Sequence, residues 1–373
     1  KGSGELSSEL PSLLRSALAT ASILSMVAVF ALTVLEMLLP LISSYEAISS
    51  LVKQYLRIVV WIVPLDLFAC SIIFISNGVG RTFWPAAVSA GALITMVLVT
   101  WLIALGNAGF VAMGSGGVAY SFLIASLTKF ILSIFLLLQS DFGSLTFTNL
   151  TESLEVPHLR RIFRVGIPIG FNEGSLHLFT ALLVVFIASM GAEQLAVHNV
   201  ALNIFQLSHV FSIGFMTATS VLVGEALGAE DLAGQKSVRI TSHYVVLVSS
   251  VPVLFVLYLF RNEIAAAYSI DGDTKTLWLQ ICICILLLKL LDDITQAGQG
   301  FLVGLERTRV VFLGRFIGLW VVAMPAGYFL SVYHSLSGYW IGWIMGTAMT
   351  LIWFVQAGST YVKHQKPKLV VQE

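Results

Sequence analysis

Ten mostly apolar stretches follow one another along this chain, and each contains the roughly 20 residues that a helix needs to cross a bilayer. They cover residues 13–42, 55–77, 83–107, 115–139, 165–190, 196–222, 236–260, 276–302, 309–331 and 338–361. Only 11% of the 373 residues are charged, against roughly 25% in an average soluble domain. The sequence therefore predicts an all-α, polytopic membrane protein with ten transmembrane helices.

The basic residues concentrate in alternate connections between these spans. One side collects most of them, including Arg307 and Arg315, whereas the other side holds few, such as Lys53 and Arg57. Cytoplasmic loops are enriched in Lys and Arg. We therefore expect the richer side and the C-terminus to be cytoplasmic, in a bacterial inner membrane. The formal net charge of +0 argues against nucleic acid as a partner.

An internal repeat divides the chain. Residues 78–82 recur as residues 304–308 with the same Gly, Arg and Thr, and the same shift carries Asp66 onto Asp292. A parallel repeat predicts two pseudo-symmetric helix bundles, an arrangement that transporters use. The boundaries that we predict are an N-terminal four-helix bundle at 1–140, an amphipathic cytoplasmic linker at 141–164, a C-terminal six-helix bundle at 165–362 and a cytoplasmic tail at 363–373.

The two halves do not match completely. The second half opens with two spans, 165–190 and 196–222, that have no counterpart in the first half. Either the protein has ten helices, or this sequence lacks an N-terminal segment that holds two more. We favour the second interpretation, because an unpaired half-bundle would leave the interface between the repeats incomplete.

The span 276–302 carries a polar stripe, because Lys289, Asp292, Asp293, Gln296 and Gln299 fall within an arc of roughly 120° on one helix face. A charge at bilayer depth costs about 2.5 kcal/mol or more, so the stripe should face a cavity or a partner and mark a functional site. Lys289 can pair with one aspartate but cannot neutralise both. We expect the second carboxyl either to keep its proton or to hold a cation, as coupled exchange requires.

Two other segments contribute candidate residues for binding the coupling ion or the substrate. In the span 165–190, Glu173 and His177 share a helix face and Asn172 lies beside them; the alternative is an internal Glu–His hydrogen bond. The glycines and the proline of GIPIGFNEG should weaken this helix, leaving backbone carbonyls free to meet a ligand. In the first half, Asp66 is the pseudo-symmetric counterpart of Asp292.

The sequence offers no sign of catalysis. It contains no GxSxG, Walker A or HExxH pattern. Its cysteines, Cys70, Cys282 and Cys284, lack the spacing of a zinc site or a disulfide framework. We therefore predict a protein that is not an enzyme and that has no catalytic residues, cofactor or structural metal.

Several segments resemble one known family. GIPIGFNEG, MGAEQLAVHNVALNI at 190–204, SVLVGEALGAED at 220–231 and LDDITQAGQGFLVGLERTR at 291–309 closely resemble the second bundle of the multidrug and toxic compound extrusion (MATE) family. Residues 1–140 look like the last four helices of its first bundle, with YLRIVVWIVP and SNGVGRT as the most recognisable pieces. The resemblance implies a twelve-helix, two-bundle antiporter that exports drugs and other organic cations in exchange for H⁺ or Na⁺.

The resemblance also implies partners and site residues. Small organic cations or drugs would be the passengers of a monomer surrounded by membrane lipid, and Na⁺, if it is the coupling ion, would be held at Glu173, Asp292 or Asp293. The family's acidic residue in its seventh helix aligns with Leu176, one turn beyond Glu173. Its tenth-helix aspartate maps to Asp292 in an alignment on the helix-terminal glycine, but to Asp293 in an alignment on the Asp-x-x-Gln pattern, which includes Gln296.

Two other functions stay open at this point. A flippase for a lipid-linked saccharide or another amphiphile would need a strongly basic cavity, whereas the charges within these spans are mainly acidic. A degenerate scaffold that does not transport would be consistent with two absent helices. An in-frame upstream segment with two apolar spans would favour the transporter over the scaffold.

Overall fold

The computed structural model describes residues 3–42, 46–139 and 156–364, and this part of the chain is α-helical and contains no strand. Nine of its helical segments are long and apolar enough to cross a membrane, by length and composition. The remaining predicted span, 276–302, lies within the helix Gly272–Gly304, which carries the polar stripe. The prediction of an all-α membrane protein is therefore confirmed.

The chain divides into two compact units, Lys1–Ile162 and Phe163–Glu373. The helices of the first unit are α1 (Ser3–Ile42), α2 (Glu46–Gly78), α3 (Phe83–Val99), which continues as the π-helical segment Thr100–Ala104, and α4 (Gly114–Gln139). Within this unit α2 packs against α1 and α4, and α3 packs against α4. Among the described residues, ion pairs link Arg57 with Glu36 at 2.8 Å and Lys129 with Asp66 at 3.2 Å.

The second unit is built around one helix. Its elements are α5 (Val156–Ala188, which begins just before the unit boundary), α6 (Ala192–Gly228), α7 (Leu232–Leu259), the short α8 (Arg261–Ala267), α9 (Gly272–Gly304), α10 (Thr308–Phe316), the π-helical segment Ile317–Ala323, α11 (Met324–His334) and α12 (Leu336–His364). Helix α9 packs against α6, α7 and α12. Because three helices surround it, the polar stripe of α9 lies inside the bundle.

Helix α5 differs from the sequence-based expectation. The predicted linker 141–164 lies mostly outside the described residues, but from Val156 onwards the chain is already helical. The helix then continues through Pro168 to Ala188, so the glycines and the proline do not interrupt it. In apolar surroundings a freed backbone group has no water to bond, which favours an unbroken helix. Most of the predicted tail, 365–373, also lies outside the described residues.

The repeat is visible in the turns that end α2 and α9. The N–H of Arg81 donates to the carbonyl oxygen of Ser76 at 3.0 Å, and the N–H of Arg307 donates to that of Leu302 at 2.9 Å. The residues just before the arginines both adopt a left-handed backbone, with φ of 81° at position 80 and 58° at position 306. Each half therefore ends its second repeated helix in the same hydrogen-bonded turn.

Two glycines bring the backbones of α6 and α9 together. A Cβ on Gly304 would lie 2.6 Å from the carbonyl oxygen of Ser220 and 2.7 Å from Cβ of Val223. One turn earlier, a Cβ on Gly300 would collide with the carbonyl oxygen of Met216. Small residues four apart are a common means of close helix packing in membranes. This contact fixes the register in which the stripe of α9 faces α6.

Candidate functional site

All five residues of the predicted stripe are buried inside the second unit. Their exposed fractions are 1% for Lys289, 4% for Asp292 and 2% each for Asp293, Gln296 and Gln299. Buried charges need partners, because their desolvation is costly. The residues that meet this stripe therefore show how its charges are balanced.

Asp293 is held by three helices. Lys289 forms an ion pair with its Oδ1 atom, and Ser212 of α6 donates a hydrogen bond to the same oxygen. Ser250 of α7 shares its one hydroxyl proton between Oδ2 at 2.5 Å and the carbonyl oxygen of Val246 at 2.7 Å. The Lys289 ammonium also donates to the Ser212 hydroxyl at 3.0 Å. Both carboxylate oxygens are thus satisfied by side chains of the protein. We interpret this group as a structural contact, a fixed joint that holds α6, α7 and α9 together.

Asp292 has a different set of partners. The Nδ1 atom of His209 on α6 lies 2.7 Å from its Oδ2 atom. On the other oxygen, Arg315 NH1 lies 3.7 Å from Oδ1, and the Gln296 amide donates to Oδ1 at 3.5 Å. The expectation that one aspartate would lack a protein cation was therefore wrong. Each aspartate thus has a protein cation within 4 Å, and Na⁺ at Asp292 or Asp293 stays a prediction.

Arg315 corrects the predicted topology at one position. The sequence assigns it to the cytoplasmic group of basic residues, but its side chain is only 4% exposed and points at Asp292. Helix α10 begins at Thr308, so Arg315 lies two turns inside the helix rather than in the preceding turn. A count of basic residues near the ends of spans cannot tell whether such an arginine lies in the cytoplasmic turn or inside the helix.

A chain of hydrogen bonds connects the buried charges to Glu173. Arg315 NH2 donates to Oε1 of Gln299 at 2.8 Å. The Gln299 amide in turn lies 3.5 Å from Oε1 of Glu173 and 3.1 Å from Sδ of Met216. Asn172 donates to Glu173 at 2.8 Å, and the Glu173 side chain is exposed. The order from Glu173 through Gln299 and Arg315 to Asp292 is a continuous polar path.

The remaining predicted residues lie elsewhere. His177 is exposed on α5, and the Glu173 carboxylate bonds to Asn172 instead of forming the alternative internal pair with His177. Asp66 is paired with Lys129 in the first unit, and Lys129 also donates to Sγ of Cys70 at 3.3 Å. In the described part of the chain, no group of three or more His, Cys, Asp or Glu side chains could hold a metal ion.

Four members of the cluster were missed as site residues by the sequence reasoning: His209, Ser212, Ser250 and Arg315. His209 belongs to a row of polar residues on α6, so the sequence carried a signal there. The two serines are ordinary in membrane helices, where they usually bond to their own backbone. Nothing local to Ser212 or Ser250 distinguishes them from such serines.

The MatE family model matches residues 168–329, a segment that contains every member of the buried cluster and also the exposed Glu173. Together with the relatives and solved structures described below, this match supports a transporter of the MATE family. These similarities support an integral membrane transporter rather than an enzyme. The resemblance noted in the sequence motifs is therefore confirmed.

Named relatives of this MATE chain come from several bacteria. It is 29% identical over 351 residues to the probable multidrug resistance protein NorM of Xylella fastidiosa (strain Temecula1), an alignment that covers 91% of this chain and 73% of that protein. It is 26% identical over 314 residues to the multidrug resistance protein NorM of Vibrio cholerae, covering 81% of this chain and 68% of that protein.

Solved structures show the same fold. A multidrug resistance MATE family transporter of the MOP superfamily, in an outward-facing conformation, aligns with a TM-score of 0.80 and 18% identity. A MOP superfamily transporter from Pyrococcus furiosus aligns with a TM-score of 0.79 and 17% identity. Each alignment covers 96% of this chain and 84% of the other. The MATE fold, with its pseudo-symmetric bundles, is therefore the fold of this chain.

Proposed function

We propose that this MATE protein is a secondary active multidrug exporter, which exchanges organic cationic or amphipathic compounds for H⁺ or Na⁺. The names of its NorM relatives support a multidrug substrate range. We further propose that it works as a monomer in a bacterial inner membrane, with its C-terminus on the cytoplasmic side. The charge balance of the second unit supports the exchange of one cation for another.

The charges of the buried cluster are matched in pairs. Lys289 pairs with Asp293, and Arg315 lies beside Asp292. Glu173 stands apart from this balance, because its hydrogen-bond partners among the described residues are the neutral amides of Asn172 and Gln299. An exposed carboxylate without a protein cation is available to a positively charged passenger. This is the observation that carries the proposal.

The polar path couples Glu173 electrostatically to the buried charges. Gln299 contacts both Glu173 and Arg315, so a change in charge near Arg315 acts on whatever binds at Glu173. Electrostatic effects are strong in this setting, because two unit charges interact across low-dielectric protein with less screening than in water. A coupling ion that loads the Asp292 end would therefore weaken the hold of Glu173 on a cationic passenger.

Counterflow of tetraphenylphosphonium in proteoliposomes tests the function. Proteoliposomes with wild-type protein should accumulate the cation when a gradient of H⁺ or of Na⁺ is imposed to drive the exchange. Imposing each gradient separately identifies the coupling ion. Asp292→Asn and Glu173→Gln should each reduce this uptake at least tenfold while the protein still inserts and runs as a single species. Glu193→Gln, in the exposed first turn of α6, is the matched control. Normal uptake by both site variants would contradict the proposal.

A further inference from the structure

We propose that His209 binds the coupling proton, which makes H⁺ rather than Na⁺ the ion that drives exchange; this inference rests on the function proposed above. Its Nδ1 atom lies 2.7 Å from Oδ2 of Asp292, and its side chain is 16% exposed. The ring stacks on Phe205 with a centroid distance of 5.7 Å and an interplanar angle of 23°. The imidazole is therefore held in place against the carboxylate.

This geometry determines which nitrogen receives the proton. A ring nitrogen 2.7 Å from a carboxylate oxygen carries hydrogen, so Nδ1 is the N–H of the neutral ring and Nε2 is the bare nitrogen. Nδ1 is fully buried and the side chain as a whole is 16% exposed, so we infer that the proton enters at Nε2. Histidine changes charge near neutral pH. Imidazole is a poor ligand for hard cations such as Na⁺, which favour oxygen.

The charged groups that act on His209 come from two helices. Asp292 and Lys289 face it from α9, and Arg315 faces it from α10. Helix α7 contributes the neutral Ser250 hydroxyl to the cluster. The ring of His243, also on α7, contacts the carbonyl oxygen of Arg239 in the same helix at 2.7 Å instead. Helix α12 contributes an indole, that of Trp343, which packs on Phe205.

Protonation of His209 changes the total charge of the cluster. With a neutral ring, the two aspartates of α9 are balanced by Lys289 and Arg315. With a charged ring, one positive charge is in excess, and the imidazolium at 2.7 Å competes with Arg315 at 3.7 Å for Asp292. Arg315 is then held mainly by its hydrogen bond to Gln299, whose side-chain amide also contacts Glu173.

The consequence is antiport. Excess positive charge at the Asp292 end of the path disfavours a second cation at Glu173, so proton uptake by His209 expels the passenger. Binding of the passenger at Glu173 must, by thermodynamic reciprocity, lower the affinity of His209 for its proton by the same factor. No covalent bond changes in this step; one proton enters and one organic cation leaves.

Equilibrium binding of tetraphenylphosphonium to the purified full chain in detergent tests the inference. For wild type, affinity should fall as the pH drops through the range where histidine titrates, by up to about tenfold per pH unit for one linked proton. Calorimetry in two buffers of different ionisation enthalpy should count the protons released on binding, and we expect a fraction approaching one. Absence of proton release by wild type would overturn the inference without any variant.

His209→Gln keeps a side-chain amide that can donate to Asp292 but cannot take a proton. This variant should bind tetraphenylphosphonium with an affinity independent of pH and should release no proton on binding. Its uptake driven by a pH gradient should be at least tenfold lower than that of wild type. The control is His198→Gln, on the same helix. His198 is buried against Trp340 at a centroid distance of 5.7 Å, and no carboxylate is among its ring contacts. It should keep the wild-type pH dependence.

The outcomes separate the two proposals. A wild-type protein that binds no organic cation at any pH overturns the proposed function itself. A wild-type protein that binds the cation, together with a His209→Gln variant that keeps the pH slope and the proton release, overturns only the assignment of the proton. Uptake that a Na⁺ gradient drives and a pH gradient does not would likewise overturn only the assignment of the proton to His209.

Discussion

Arg315 donates a hydrogen bond to Gln299 at 2.8 Å, deep inside the second unit. This bond joins α10 to α9 about two turns away from the point where the same guanidinium meets Asp292 at 3.7 Å. An arginine that is 4% exposed in a membrane helix has no access to water. Its two partners on α9 therefore compensate the cost of burying the guanidinium.

Arg315→Gln should destabilise the protein by about 3–5 kcal/mol, because removal of one partner of a buried ion pair leaves the other without compensation. Thermal unfolding in detergent measures the loss. The double variant with Asp292→Asn should recover much of it, since both charges are then absent. Arg164→Gln is the control, because Arg164 is 63% exposed and lies 3.8 Å from Glu306. It should change stability by no more than about 0.5 kcal/mol.

Asp293 and Asp292 should respond differently to substitution. Asp293→Asn leaves the Lys289 ammonium buried without a counter-charge, at a cost of about 3–5 kcal/mol. Replacement of the pair by Lys289→Met with Asp293→Leu should restore most of the stability. Ser250→Ala removes one bond to the carboxylate and should cost about 1.5–3 kcal/mol. Unfolding temperatures of these variants in one detergent give the comparison, and an Asp293→Asn protein as stable as wild type would contradict the role of a fixed joint.

The sequence was sufficient to predict the helices and the polar stripe of α9, because both depend on patterns within one segment. It was not sufficient to predict the partners of the stripe. Arg315 lies two turns into α10, and no local pattern shows whether it faces water or Asp292. His209 stood in a visible polar row, but its contact with Asp292 depends on the register of α6 against α9. That register is set by backbone contact at glycines such as Gly304, which only the structure shows.

Gly304→Val should therefore destabilise the second unit. The added side chain would meet the carbonyl oxygen of Ser220 and the side chain of Val223, neither of which can move without shifting α6. Overpacking of this kind costs about 1–3 kcal/mol. Gly174→Ala on α5 is the control, because a Cβ added there would meet nothing within 4 Å, and alanine favours the helix by about 1 kcal/mol. Thermal unfolding and retention on size exclusion should show opposite effects for the two variants.

Glu173→Gln should separate binding from stability. Glu173 is exposed and bonds to two neutral amides, so its neutralisation should change the free energy of unfolding by less than about 1 kcal/mol. The same change removes the carboxylate that we propose for the passenger, and the affinity for tetraphenylphosphonium should fall at least tenfold. Gln299→Leu leaves Glu173 in place but cuts the path to Arg315, so it should retain binding and lose the dependence of that binding on pH. A Glu173→Gln protein with wild-type affinity would mean that the passenger binds elsewhere in the chain, whatever the charge of the buried cluster.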